Sequence, residues 1–486
     1  MPVSTLGRDI VTTLIVLPIA VGTGSALVVQ PLTTAAAVSA VALLLAATIA
    51  PAWLLAAAWG AILPIYGVAG IPAWVFDGLR LVGAAVILLR THGSPAYLSR
   101  HTKRLACALL LLGAYTTAVC AIRGDGLRLG TFMVLSTVVA LAVVRQRNLI
   151  APALAGFAIG ACASAVAVVT QALRLATPSL PFQDNGRFPG LGSDAPRTST
   201  ELALGCLILI VYMTGGRNVR PMRFAVAATA LLTCAAGILL SGGRTGAVGL
   251  GIALLLLVQR ETLRVRHLGA LAAAAVVLAG WADWSHLSFT SIDRFGPSGE
   301  FYQPGGFDVT NGRWRLDGAA LASWLDHPLT GPGMTAFQRA AGAYPHLVPL
   351  TFAVACGTVG LALSSLVLAL TARAAWNRKK DPKANVGSAL LVVLLTSAVL
   401  EPTGPLIGVG LVAVLLSGVS LASEVGDDQG AATEPAAART GRVPVQAGTA
   451  PTTAGAVIDC VGARLRGRRV RGSTRTGTGP GHPLRR

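Results

Sequence analysis

The chain has 486 residues, of which 53% are hydrophobic and only 12% are charged, and its formal net charge is +19. Soluble globular proteins carry about 25% charged residues, so this composition excludes an ordinary soluble domain. The basic residues lie mostly in short segments between apolar runs and after Ser423. Because this is the positive-inside distribution of membrane proteins, the charge does not imply a nucleic-acid partner.

Apolar runs long enough to cross a bilayer recur along most of the chain. They predict an all-α, polytopic integral membrane protein with about 12–14 transmembrane helices. The fourteen apolar segments are 10–29, 33–49, 51–70, 73–89, 105–122, 128–144, 149–171, 199–215, 223–240, 245–259, 267–282, 346–371, 386–402 and 405–421.

The basic loops alternate along the chain, and this alternation predicts the topology. A cytoplasmic N-terminus places both termini in the cytoplasm, and it makes each basic loop cytoplasmic. Those loops are 90–104, 145–147, 217–223, 260–266 and 373–383. Residues 1–422 are then a transmembrane domain of the cytoplasmic membrane, with two long exterior loops at 175–198 and 283–345.

The tail from 423 to 486 is rich in Gly, Ala, Thr, Pro and Arg. It has too few large apolar residues to form a core, so we predict a disordered basic tail that contacts anionic lipid headgroups. Six of the seven cysteines lie within apolar segments, where we expect them to pack between helices.

The exterior loops carry arginine and no lysine, on the side of the membrane that normally excludes positive charge. One explanation is that planar guanidinium groups bind an anionic ligand such as a phosphate. The other is that they pair with Asp283, Asp293, Asp308 or Asp317, or contact lipid headgroups. The exterior arginines are Arg187, Arg197, Arg294, Arg313, Arg315 and Arg339, with Arg244 in the turn SGGRTG.

Two histidines lie near the start of the apolar segment 346–371: His327 in the polar stretch before it, and His346 at its first position. His346 stands at the mouth of that segment, where it is either a catalytic base or a helix cap. His327 precedes a proline, which favours a structural role in a turn. Earlier in the chain, Asp77 and Arg80 have the i, i+3 spacing of an ion pair within one helix.

Three motifs lie in or begin in the segments expected to be exterior. The first is Arg313 followed by an amphipathic stretch and the turn HPLTGPG at 327–333. The second is His346, ten intervening residues, and then Gly357-x-x-Gly360. The third is the Ser-x-x-Arg turn at 241–244, which leads into a glycine-rich segment. Together they resemble the O-antigen ligase and O-antigen polymerase superfamily of membrane glycan transferases.

The resemblance implies a glycosyltransferase C-like architecture and an activity at the outer face of the membrane. The donor would be a glycan on polyprenyl diphosphate, and the acceptor a hydroxyl of a glycan, lipid or protein. His346 would activate that hydroxyl, and no metal or other cofactor would be needed. The exterior arginines implied to bind the diphosphate are Arg313, Arg244, Arg187 and Arg315, and the structural turn residues are His327, Gly331, Gly333, Gly357 and Gly360.

Two other classes of function fit the same hydropathy. A transporter or flippase of lipid-linked saccharides would share the many helices and the basic cavity, although the sequence has no internal repeat. A non-catalytic scaffold for envelope assembly would tolerate the loss of both His346 and Arg313. The sequence does not separate ligase from polymerase.

Overall fold

The structure is a computed structural model. It describes residues 50–66, 73–91, 98–125, 127–173, 188–192, 194–215, 221–263, 302–303, 306–307, 313–376, 381–401 and 408–423. The predicted segments 10–29, 33–49 and 267–282 and the tail from 424 lie outside these residues. The chain divides into two units, Met1–Leu55 and Ala56–Arg486. Every contact discussed below lies within the second unit.

The described residues are almost entirely helical. In chain order the helices are α1 (Ala52–Ile62), α2 (Ala73–Arg90), α3 (Arg100–Arg123), α4 (Arg128–Val144), α5 (Arg147–Ala172), α6 (Ala195–Gly215), α7 (Pro221–Ser241), α8 (Arg244–Gln259), α9 (Arg313–Asp326), α10 (Met334–Ala341), α11 (Val348–Trp376), α12 (Pro382–Leu400) and α13 (Val409–Ser423). Before α9, the two-residue strands β1 (Tyr302–Gln303) and β2 (Gly306–Phe307) pair antiparallel.

Within the described residues, five helices are long and apolar enough to cross a membrane: Arg100–Arg123, Arg147–Ala172, Phe224–Ser241, Val348–Trp376 and Pro382–Leu400. The prediction of an all-α, membrane-embedded protein is therefore confirmed. Each of the eleven predicted apolar segments that fall on described residues contains a helix.

Two predicted boundaries are wrong for local reasons. The segment predicted at 51–70 forms a helix only to Ile62, because Pro64 has no backbone N–H and its ring disfavours a helical residue before it. Helix α6 begins at Ala195, within the predicted loop 175–198. Its first turn is stabilised by Asp194, whose Oδ1 accepts the Arg197 backbone N–H at 2.8 Å.

Contacts between distant segments join loops that the alternation of basic residues assigns to the same side. At one end of the helices, Ser99 accepts a hydrogen bond from Ser423 at 2.7 Å, and Arg260 donates to Ala375 O at 2.9 Å. Both contacts join segments predicted to be cytoplasmic.

The opposite ends of the helices meet through a second group of contacts. They join the end of α3 to α11, the start of α8 to the end of α12, and the start of α9 to the end of α12. The pairs are Arg123 with Ala355, Thr245 with Glu401, and Arg313 with Leu400. Except for Ala355, which lies ten residues into its predicted apolar segment, and Arg313, which lies in the predicted loop 283–345, these residues lie at or near the ends of predicted segments.

Helix α11 is interrupted at Gly357, which adopts φ 71° and ψ −156°. An interruption frees backbone carbonyls, and within a membrane each one must find another donor. Here the donors come from the turn before α10 and from α3. Val354 O accepts from Gly333 N at 3.0 Å, Ala355 O from Arg123 Nη1 at 3.5 Å, and Cys356 O from Tyr115 Oη at 3.3 Å.

The turn at 327–333 packs directly into this interruption. Pro328 O accepts both the backbone N–H and the hydroxyl of Thr358, at 2.8 and 2.7 Å. A Cβ atom on Gly357 would lie 2.2 Å from Leu329 O. Gly331 has φ +68°, and a Cβ atom there would lie 2.3 Å from Val354 O. The turn and the helix therefore fit only without side chains at these positions.

We expect Gly357→Ala to destabilise the protein by roughly 2 kcal/mol or more, since it combines a positive φ with a clash against backbone. Gly318→Ala is the matched control, because a Cβ atom at this position of helix α9 would meet no neighbouring atom within 4 Å. Thermal unfolding in detergent measures both variants. A Gly357→Ala protein with the same melting temperature as the wild type would contradict the tight packing at this position.

Candidate active site

His346 lies just before α11, and α9 fixes its backbone. Asp317 Oδ1 accepts the backbone N–H of His346 at 2.8 Å and that of Leu347 at 3.3 Å. Both N–H groups directly precede α11, so Asp317 fixes the backbone that leads into the helix. The carboxylate that contacts this segment is therefore Asp317.

The environment of His346 favours a neutral imidazole. Its partial burial and the nearby Arg313 guanidinium lower the pKa of His346 below the ordinary value, while the Asp317 carboxylate opposes them. Within the described part of the chain, the Nδ1 atom is buried without a hydrogen-bond partner. A neutral imidazole is the form that accepts a proton, so this side chain has the protonation state that a general base needs.

Arg313, the first residue of α9, reaches across to the end of α12. Its Nη1 donates to Leu400 O at 2.6 Å, and its Nη2 lies 3.4 Å from Glu401 Oε1. The partners expected from the sequence were exterior aspartates, and Glu401 was not among them. Since these contacts engage both terminal nitrogens, the position of the guanidinium is fixed by α12.

Glu401 also contacts the turn that carries Arg244. Its Oε1 accepts the hydroxyl of Thr245 at 2.6 Å. On the other side, Gly243 O accepts the Ser199 hydroxyl from α6. Arg244, which is half-buried, therefore stands between two residues whose positions α12 and α6 fix. One carboxylate thus connects the segments that hold Arg244 and Arg313.

The other predicted site residues have different surroundings. Arg315 is exposed on α9, and Arg187 lies outside the described residues. The His327 side chain is exposed, while its carbonyl accepts the Gly331 N–H at 2.7 Å. Gly331, Gly333 and Gly357 lie where the turn meets α11. A Cβ atom on Gly360 would lie 2.5 Å from Phe352 O, across the same interruption.

A second charged cluster joins α2, α6 and the segment after α1. Arg80 is completely buried and pairs with Asp77 at 2.7 Å, as the spacing predicted. Its guanidinium lies 4.0 Å from the centre of the Tyr66 ring, and that of Arg197 lies 3.9 Å from it. Arg197 also pairs with the buried Glu201 at 3.2 Å. The Arg-x-x-x-Glu spacing on α6 was the sequence signal for this last pair.

No protein-family model and no curated protein sequence matches this chain. Among the residues that the structure describes, no group of three or more His, Cys, Asp or Glu side chains is placed to hold a metal ion.

Proposed function

We propose that this protein is a metal-independent glycosyltransferase of the O-antigen ligase and polymerase type, acting at the outer face of the cytoplasmic membrane. It would transfer or polymerise glycan from a polyprenyl-diphosphate-linked donor onto an acceptor hydroxyl of a glycan, lipid or protein. The observation that carries the proposal is the set of contacts around Asp317 and Glu401. They hold a histidine with a lowered pKa near Arg313, and they tie the segment of Arg313 to the segment of Arg244.

The proposed reaction is one displacement at the anomeric carbon. The acceptor oxygen attacks that carbon, the bond between the carbon and the diphosphate oxygen breaks, and polyprenyl diphosphate leaves. His346 takes the proton of the acceptor hydroxyl. Negative charge develops on the leaving diphosphate, and the guanidinium groups of Arg313 and Arg244 stabilise it. Each well-placed donor of this kind contributes about 3 kcal/mol to catalysis.

Glu401 has a positioning role in this proposal. A long, flexible arginine side chain must be ordered before it binds a phosphate bidentately, and ordering it costs entropy. Glu401 and Leu400 O order Arg313 in advance, and Thr245 ties the Arg244 turn to the same carboxylate. The cost is partial neutralisation of Arg313, since a carboxylate next to it opposes anion binding.

A transporter or flippase of lipid-linked saccharides is the second candidate, because transporters often use interrupted helices as α11 is interrupted. In those proteins the freed backbone groups bind the substrate or ion. In α11, protein donors occupy the carbonyls of Val354, Ala355 and Cys356. The interruption therefore serves to seat the exterior turn, which favours the transferase.

The side on which lipid-linked glycan accumulates separates these two functions. In cells depleted of the protein, we expect polyprenyl-diphosphate-linked glycan to accumulate where a membrane-impermeant glycan-oxidising reagent reaches it in intact cells. Loss of a flippase leaves the glycan inside, where only lysed cells are labelled. Glycan that is labelled only after lysis would contradict the transferase.

The pH dependence of transfer tests His346 as the base. Because the folded-state pKa of His346 is lowered from about 6.5, the neutral base persists through neutral pH, and activity falls only as the pH drops through the lowered pKa. Asp317→Asn keeps an acceptor for the two backbone N–H groups but removes the charge that raises this pKa. We expect the acid limb of the pH–activity curve of this variant to move to lower pH.

The matched control for this shift is Asp326→Asn, an exposed residue at the end of the same helix. Its acid limb should coincide with that of the wild type. An acid limb that is unchanged in Asp317→Asn would show that the titrating group is not His346.

A further inference from the structure

One face of helix α9 packs against neighbouring segments of the chain. Ala320 is completely buried in a cluster with Phe337 of α10 and Val354 of α11, and Leu316 packs against the same cluster. Arg313 and Asp317 lie toward this side and bind α12 and the segment before α11. The orientation of α9 about its own axis is therefore fixed.

The adjacent face of the helix exposes large apolar side chains. Trp314 is 80% exposed, Leu321 is 44% exposed and Leu325 is 60% exposed. Positions 314, 318, 321 and 325 follow the helical repeat, so these side chains form one stripe. Leu329, in the turn that follows the helix, is also a large apolar side chain and is 79% exposed. We call Trp314, Leu321, Leu325 and Leu329 the α9 stripe.

The position of α9 indicates what covers this stripe. Arg313, the first residue of α9, donates to Leu400 O. Leu400 is the last residue of α12, which is long enough to cross a membrane. The surface of a bilayer lies at the ends of such helices. Arg315 is exposed in the first turn beside Trp314. Tryptophan prefers the headgroup level of a bilayer, and arginine next to it complements the lipid phosphates.

We propose that α9 lies on the membrane surface with the α9 stripe inserted among the acyl chains of the adjacent leaflet. The occupant of the stripe is phospholipid. This inference stands on exposure and placement, and it is independent of the proposed glycan transfer. If that function also holds, the insertion keeps Arg313 at the depth of the lipid phosphates, where the diphosphate of a polyprenyl-linked donor lies.

Fluorescence quenching in lipid nanodiscs tests this proposal. The contribution of Trp314 is obtained by subtracting the emission of Trp314→Phe from that of the wild type. In nanodiscs whose acyl chains are brominated, we expect most of the Trp314 emission to be lost, whereas aqueous iodide should leave it nearly unchanged. The Trp59→Phe difference is the control, because Trp59 is buried among helices. Its emission should be quenched less by the brominated lipid than that of Trp314.

Two results would overturn the proposal. Quenching of Trp314 by iodide and not by brominated lipid means that the stripe faces water. Protection from both quenchers means that protein covers it, as in contact with a second copy of the chain. A second variant, Leu321→Glu with Leu325→Glu, should shift the Trp314 emission to longer wavelength and expose it to iodide. An unchanged spectrum in that variant would equally contradict insertion.

Discussion

Replacing His346 by alanine should reduce glycan transfer by roughly 10²-fold to 10⁴-fold, because the acceptor hydroxyl loses the group that takes its proton. The variant should still insert in the membrane, since Asp317 contacts the backbone and not the ring of this residue. Lipid-linked glycan should then accumulate in cells that depend on the variant. The measurement is the ratio of lipid-linked to transferred glycan at equal protein level in the membrane.

His327→Ala is the matched control, because His327 has an exposed side chain in the segment between α9 and α10, and its backbone carbonyl is the group that contacts the turn among the described residues. It should keep near-normal transfer. If His346→Ala also kept normal transfer, His346 would not be the base, and the scaffold hypothesis would gain support.

Arg313→Lys should cost roughly 10²-fold in transfer although the positive charge is kept. A single ammonium group lacks the planar fork that binds Leu400 O and Glu401 at once, and it cannot offer a phosphate two parallel hydrogen bonds. Glu401 would then face the diphosphate with less compensation. Initial rates at varied donor concentration would locate the loss in donor binding or in the chemical step.

Arg339→Lys provides the comparison, because Arg339 is exposed on α10 and its guanidinium, among the described residues, contacts its own helix at Thr335 O. That substitution should leave transfer unchanged. Equal activity in Arg313→Lys and Arg339→Lys would mean that the diphosphate is bound elsewhere.

The sequence predicted the helices well because their signal is local. A run of apolar residues predicts a membrane helix without knowledge of what packs against it. The errors occurred where another local signal acted. Pro64 ends α1 early, and Asp194 extends α6 into a polar stretch that hydropathy assigned to a loop.

The site was predicted only in part, because its connections are not local. Arg313 and His346 stood out as polar residues beside apolar segments, but their partners did not. Glu401 lies 88 residues from Arg313 and 156 residues from Thr245 along the chain. No spacing rule relates residues so far apart, so the carboxylate that joins them became visible only in the folded chain.

The interruption of α11 shows the same limit. Residues 346–371 read as one continuous apolar segment, since glycine barely changes hydropathy. Gly357 and Gly360 were noticed only through the resemblance, which implied that they are structural turn residues. Hydropathy did not predict that the turn at 327–333 meets them, where the Leu329 carbonyl leaves no space for a side chain on Gly357.

The activity that we propose is cleavage of a polyprenyl-diphosphate-linked donor with transfer of its glycan. The direct measurement uses the purified full-length protein in proteoliposomes with a defined lipid-linked donor, an acceptor and EDTA. We expect one polyprenyl diphosphate to be released for each glycan transferred, with both products lost in His346→Ala. An intact donor that crosses the bilayer without release of polyprenyl diphosphate would contradict the account and identify a transporter.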